Sequence, residues 1–284
     1  MFLDEFADQM PSVAQVTQSV GVERAEKLYA RVFNEYGDDS VAQLGGAHVA
    51  CEYVSNVLTK VLEWGRLMAY LEQSTRYVPY TDKLHGRWRY HIPDEVTGAL
   101  RDRYVAAMDG TFERYAKWIP AMQDYFAQRH PRSASDSDAV HRAAIRAKAL
   151  DTLRGMLPAA TQSNVGIFGT GQAFEALLLR LRAHPLHEAR DCAGRMLHEL
   201  RKVIPAFLTR VDLPDRGGTW SGYLAQTRGA TSAVAADLLD GIEVQDRDEV
   251  VLSDFDPDGE IRVVAAALYA VSELPDDQLL AVAR

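Results

Sequence analysis

Glu72, Ser74 and Arg76 fall at every second position of LEQSTRYVPY, residues 71–80. Helical period is lost after Leu71, and Pro79 biases Val78 towards extended backbone, where alternate side chains share a face. The segment therefore reads as a ledge, with Glu72, Ser74 and Arg76 roughly 6 to 7 Å apart on one side and Gln73, Thr75 and Tyr77 on the other. A guanidinium fork, a hydroxyl and a carboxylate side by side suit a phosphorylated polar ligand: fork and hydroxyl for phosphate, carboxylate for sugar hydroxyls or a second arginine. An ion-paired surface loop would carry the same residues, and spacing alone does not separate the two.

The elements that must position this ledge read mostly as helix. HVACEYVSNVLTKVLEWGRLMAYL, residues 48–71, predicts a helix with Val54, Leu58, Val61 or Leu62, Gly65 and Met68 as its apolar stripe and Asn56, Lys60, Glu63 and Arg66 opposite. Gly65 inside a helix costs about 1 kcal/mol relative to alanine, so something is expected to pack close to the backbone there. Further helices are predicted over 22–36, 94–128 and 137–157, the last with Ser137 or Asp136 as N-cap and Pro158 past its end. Strand signals are short: RWRYHIP at 87–93, NVGIF at 164–168 and EVVLSDF at 249–255. Together they predict a helix-rich α+β fold with a small, mostly antiparallel sheet. Turn formers in LPDRGGTWSG, residues 213–222, suggest a boundary between a domain over 1–212 and a helical extension over 213–284. The final helix ends in mid-pattern at Arg284, which hints at a longer natural chain.

Composition narrows the function classes. With 47% hydrophobic residues in 284, the chain can bury a core. A formal charge of -9 argues against broad binding of nucleic-acid polymers through phosphates. No apolar run approaches the roughly 20 residues needed to span a bilayer, and the acidic N-terminus lacks a signal-peptide pattern. A soluble, cytoplasmic protein is expected. Cys51 and Cys192 are too few for a disulfide framework and read as reduced, buried thiols.

Two local patterns imitate known sites. GIFGTGQAFEALL, residues 166–178, is a strand, glycines and a helix, as in a dinucleotide fingerprint, but its third glycine position holds Phe174. SDFDPDGEIRVV begins like a calcium loop, yet Ala265 stands where a bidentate glutamate is required. His184 and His187 lack partners at metal spacing, so no metal is expected.

WGRLMAYLEQSTRY, residues 64–77, resembles the signature of the flavin-dependent thymidylate synthases. That family carries an arginine-histidine-arginine triplet, then a serine, a glutamate, and a serine-x-arginine-tyrosine element. Arg66, Glu72, Ser74, Arg76 and Tyr77 match, whereas Trp64, Gly65, Ala69 and Leu71 depart from it. Three more blocks stand in family order: Ser40 with Val54 and Ser55 upstream, where Gln43 and Leu44 replace a glutamate-histidine pair, then RGMLP with Arg154, and LLLRLRAHPLHEAR with Glu188 and Arg190. Spacing to that last element favours Arg180 as the family's catalytic arginine, with Arg182 the alternative, and Thr170 and Ala176 stand where two asparagines are usual.

The resemblance implies a thymidylate synthase-complementing protein-like fold and methylation of carbon 5 of the uracil of dUMP, or of UMP as in methylases of nucleoside-antibiotic pathways. FAD, NADPH and methylenetetrahydrofolate would take part, without a cysteine nucleophile. It assigns nucleotide binding to Glu72, Gln73, Ser74, Thr75, Arg76 and Arg154, and flavin contacts to Ser40, Trp64, Gly65, Arg66 and Thr170. Sites shared between subunits of a homotetramer are implied too. The altered triplet keeps a second expectation open, a catalytically silent nucleotide-binding subunit that completes a partner's site.

Overall fold

Residues 48–71 are a strand, a short helix and a second strand in the computed structural model, which describes residues 42–243, 250–252 and 254–284. Strand β1 (Gly46–Ser55) leads into helix α1 (Asn56–Leu62), then β2 (Met68–Glu72), and β3 (Gln162–Thr170) completes an antiparallel sheet of order β1-β3-β2. The predicted single helix fails because HVACEYVS also alternates at period two. Ala47 and Cys51 are buried while His48 and Ala50 face out, and pairing with β3 settles the ambiguity that a short apolar run leaves.

A bulge ends β1. The register slips by one residue between Cys51 and Val54, Tyr53 takes a left-handed φ of 57°, and its N–H donates to Asn164 Oδ1 at 2.9 Å. Val54 and Ser55 are then both buried, and the Ser55 hydroxyl accepts from the Leu58 N–H at 3.0 Å as N-cap of α1. Glu188 fastens the junction from below, accepting from the Ser55 N–H at 2.8 Å and the Ser55 hydroxyl at 2.6 Å.

Two apolar clusters hold this frame. Against one sheet face, α4 (Gly171–Arg182) and α5 (His187–Leu200) bury Phe174, Leu177, Leu178, Leu181, Leu197 and Leu200 together with Leu58, Leu62, Val165 and Ile167. The free thiols of Cys51 and Cys192 lie buried in the same cluster. The second cluster joins α2 (Gly98–Arg129) and α3 (Asp138–Leu153), through Phe112, Tyr115, Leu150 and Leu153, to Tyr80, Trp88 and Tyr90. Ser137 is the N-cap of α3, accepting from the Val140 N–H at 3.3 Å.

RWRYHIP, expected as a strand, makes only isolated bridges, including Tyr90 with Thr161. NVGIF lies within β3. The helix predicted over 22–36 and part of EVVLSDF lie outside the described residues, and residues 250–252 of the latter hold no strand. The dinucleotide imitation fails on topology, since β3 is antiparallel to both neighbours and forms no parallel βαβ unit. Its glycines serve packing instead: a Cβ on Gly171 would sit 2.7 Å from Phe207 Cβ, and one on Gly169 2.5 Å from Met68 Cε.

The chain divides into two units, one ending at Ser232 and the other running from Ala233 to Arg284. Helix α6 (Thr219–Leu238) carries the chain across the division, and α7 (Gly259–Tyr269) and α8 (Asp276–Ala283) pair within the second unit. The cluster of turn formers after Leu213 is a wide turn, Pro214–Gly218, whose Gly217 N–H donates to Arg210 O at 3.0 Å. Among the described residues no helix is long and apolar enough to cross a membrane, and no group of three or more His, Cys, Asp or Glu could hold a metal ion.

Candidate nucleotide site

The ledge at the end of β2 is half strand and half turn. Pairing continues past Glu72, with the Gln73 N–H donating to Asn164 O at 2.9 Å and the Ser163 hydroxyl to Gln73 O at 3.2 Å. At Ser74 the chain turns: the Tyr77 and Val78 N–H groups donate to Ser74 O at 3.2 and 3.1 Å, and the Arg76 N–H to the Ser74 hydroxyl at 3.2 Å. The expected straight face of Glu72, Ser74 and Arg76 is thus broken, because the Ser74 hydroxyl and carbonyl both bond within the turn, the local alternative to strand pairing that serine offers.

The turn closes a cavity of about 550 Å³. Glu72, Gln73, Ser74 and Thr75 line it from one segment and Arg154 from another, the residue that opens the short 3-10 turn Arg154–Met156 after α3. Arg76 lies outside the lining but its Nε is 3.2 Å from Asp151 Oδ1, on the cavity wall, and Arg154 Nη2 is 3.0 Å from the same oxygen. Helix α1 contributes Lys60, whose Nζ lies 2.6 Å from Glu72 Oε2 and 3.4 Å from Glu63 Oε2. Burial works to lower the Lys60 pKa, but the carboxylates of Glu72 and Glu63 outweigh it and hold the ammonium above its usual range. Tyr80 and Thr161 also line the cavity, and their hydroxyl oxygens are buried without a hydrogen-bond partner.

Arg180 lies elsewhere. Its Nη2 is 3.3 Å from where a Cβ on Gly65 would stand, and the Tyr70 hydroxyl, donating to Gly65 O at 2.8 Å, is 2.6 Å from that point. The close approach expected at Gly65 is therefore real, although Gly65 sits in the link between α1 and β2 and not within a helix. Arg182, two residues on, projects differently; its Nε is buried and unpartnered, and its charge acts on Asp212. The link exposes Trp64, at 73% of its surface, and Arg66. Thr170 caps α4 by accepting from the Ala173 N–H at 3.3 Å, and Ser40 is outside the described residues.

Sequence reasoning missed Asp151, Tyr80, Thr161 and Ser163, all on the cavity wall. Only Asp151 left a trace, three residues before Arg154 on a predicted helix, where side chains meet. Lys60 was legible as a polar-face residue but not as a partner of Glu72.

The family model of the thymidylate synthase complementing protein matches residues 5–206. The chain belongs to this family. The matched span takes in both halves of the cavity wall and Arg180. A UPF0159 protein of Chlamydia muridarum (strain MoPn / Nigg) is 36% identical over 268 residues, covering 93% of this chain and 51% of the relative. A flavin-dependent thymidylate synthase of Clostridium tetani (strain Massachusetts / E88) is 26% identical over 197 residues, 68% of this chain and 73% of that one. The chain thus spans about half the length of the Chlamydia relative, 51%. Among solved structures, the flavin-dependent thymidylate synthase ThyX of Helicobacter pylori, complexed with FAD and dUMP, aligns at TM-score 0.43 and 13% identity over 64% of this chain and 81% of its own. The UMP/dUMP methylase PolB of Streptomyces cacaoi, bound with 5-Br UMP, aligns at TM-score 0.43 and 14% identity over 66% and 82%.

Proposed function

We propose that this member of the thymidylate synthase complementing family methylates carbon 5 of the uracil of dUMP or UMP, using FAD, methylenetetrahydrofolate and NADPH. The observation that carries the reading is the single cavity on which Glu72, Gln73, Ser74 and Thr75 converge with Arg154, with Arg76 tied to its wall through Asp151. In this reading Arg76 and Arg154 grip the phosphate and base, Ser74 adds a hydrogen bond and Glu72 orients the sugar or a neighbouring chain's arginine. The unpartnered hydroxyls of Tyr80 and Thr161 suit a polar ligand, because buried hydroxyls normally find partners.

The turn residues fit a flavin. Trp64 offers an exposed flat surface for a ring system and Arg66 an exposed guanidinium for a diphosphate, and the family resemblance adds Gly65, Thr170 and Ser40, the last outside the described residues. When bound and reduced by NADPH, the flavin would supply the hydride. Arg180, with Arg182 as the alternative, is assigned to the negative charge that builds on the uracil carbonyl oxygens. Its position beside Gly65 and Tyr70, off the cavity wall, supports a site completed by another copy in a homotetramer or at least a dimer. The catalytic part is taken as residues 1–212 and the rest as an extension, in a cytoplasmic enzyme.

One observation favours a silent nucleotide-binding subunit: the Lys60 ammonium already occupies the Glu72 carboxylate at 2.6 Å. Absorbance spectra of the purified protein with and without FAD, and NADPH oxidation with dUMP or UMP, separate the two. Saturable flavin binding with nucleotide-stimulated oxidation is expected. A folded protein that binds nucleotide but neither binds flavin nor oxidises NADPH would establish the silent subunit.

A further inference from the structure

Asp151 and Arg154 stand three residues apart at the end of α3, and Arg76 arrives from the turn after β2. Both guanidinium groups close on one carboxylate oxygen, Arg76 Nε at 3.2 Å and Arg154 Nη2 at 3.0 Å from Asp151 Oδ1. That oxygen is buried, yet it accepts an aligned hydrogen bond from neither. Each guanidinium carries about five N–H donors in a fixed plane, and one carboxylate oxygen cannot engage two such forks bidentately. A phosphate monoester can, with about three acceptor oxygens and a charge of roughly −1.5 to −2 at neutral pH. The same wall presents Ser74 and the unpartnered hydroxyls of Tyr80 and Thr161.

We propose that Asp151 is an internal placeholder for the ligand's phosphate. Its carboxylate holds Arg154 on the cavity wall and Arg76 beside that wall while the site is empty, and gives way when a phosphate monoester enters. The proposal rests on reading this cavity as the nucleotide site, and adds that the chain itself competes for it. Because the pairs are about half exposed, each is weak and a dianion displaces the carboxylate readily. Asp151→Asn keeps the shape and removes the competing charge.

Isothermal titration of the wild type, Asp151→Asn and Asp151→Ser with UMP, inorganic phosphate and uridine tests this, with circular dichroism confirming the fold of each variant. Roughly three- to tenfold tighter binding of UMP and phosphate by at least one folded variant, with uridine unchanged, is the expected result. Unchanged or weaker binding of both phosphate-bearing probes overturns the placeholder, since Asp151 would then only orient the arginines; the nucleotide reading survives if the wild type still binds UMP. Tighter phosphate with no UMP binding by any form keeps the placeholder and removes the methylase reading. Absence of binding by every probe to every form overturns both.

Discussion

Arg76 is brought beside the cavity by a turn, and its link to the wall is Asp151, a residue 75 positions along the chain that meets its Nε at 3.2 Å. In the proposed nucleotide complex its guanidinium makes charge-assisted hydrogen bonds, each worth about 1.5–3 kcal/mol. Arg76→Ala is expected to weaken dUMP or UMP binding roughly 10- to 100-fold, read by titration calorimetry, and unchanged affinity would refute the assignment. Gly65 probes the other arginine. A Cβ there would press on the Tyr70 hydroxyl at 2.6 Å and on Arg180 Nη2 at 3.3 Å, so Gly65→Ala must move one of them. Turnover is expected to fall about tenfold or more, with nucleotide affinity retained, because removing one donor to a developing oxyanion costs about 10²–10³. A fall in affinity with normal turnover would place Arg180 in ground-state binding instead.

At the scale of elements, the bulge in β1 does most of the positioning. By adding one residue between Cys51 and Val54, it turns Ser55 inward as the cap of α1, and α1 carries Lys60 to Glu72. Nothing local announces this, since a bulge is defined by the partner strand, and β3 lies more than a hundred residues away. The segment over 87–93 braces the cavity from behind. There the Tyr90 hydroxyl donates to Asp109 Oδ1 at 2.8 Å, and burial first, then the bond and charge of Asp109, push its pKa from 10.0 up to about 12. A group whose folded pKa is raised contributes stability that is complete below its unfolded value and is lost as pH climbs through the folded one. The thermal-unfolding midpoint should therefore fall between about pH 10 and 12, and Tyr90→Phe should flatten that decline. An identical decline in the variant would show that other groups govern it.

At the scale of the molecule, the sheet has, among the described residues, one covered face and one open face. Ala69 and Leu71 from β2, Phe168 and Gly166 from β3, and His48 and Ala50 from β1 form rows on the open side, with Leu71 exposed over 78% of its surface. An apolar face of this kind is costly to leave in water, and the proposed homotetramer would cover it. Leu71→Lys is expected to shift the protein to smaller species in light scattering after size exclusion, with the fold intact; an unchanged mass would exclude this face as an interface.

Much of this protein was decided by residue type and order alone. The helices α2 and α3, the strand at NVGIF with the helix after it, and the Ser137 cap follow from periodicity and capping, and ordered motif blocks single out Ser74, Arg76 and Arg154 as candidates for nucleotide binding; all are local properties. Tertiary structure decided the rest, because each remaining feature is a relation between distant segments. Pairing with β3 converts an apparent helix at residues 48–71 into strand, helix and strand. Packing of α3 against the turn after β2 sets Asp151 between two arginines. The close approach at Gly65 places Arg180 beside Tyr70, away from the cavity that the ledge encloses.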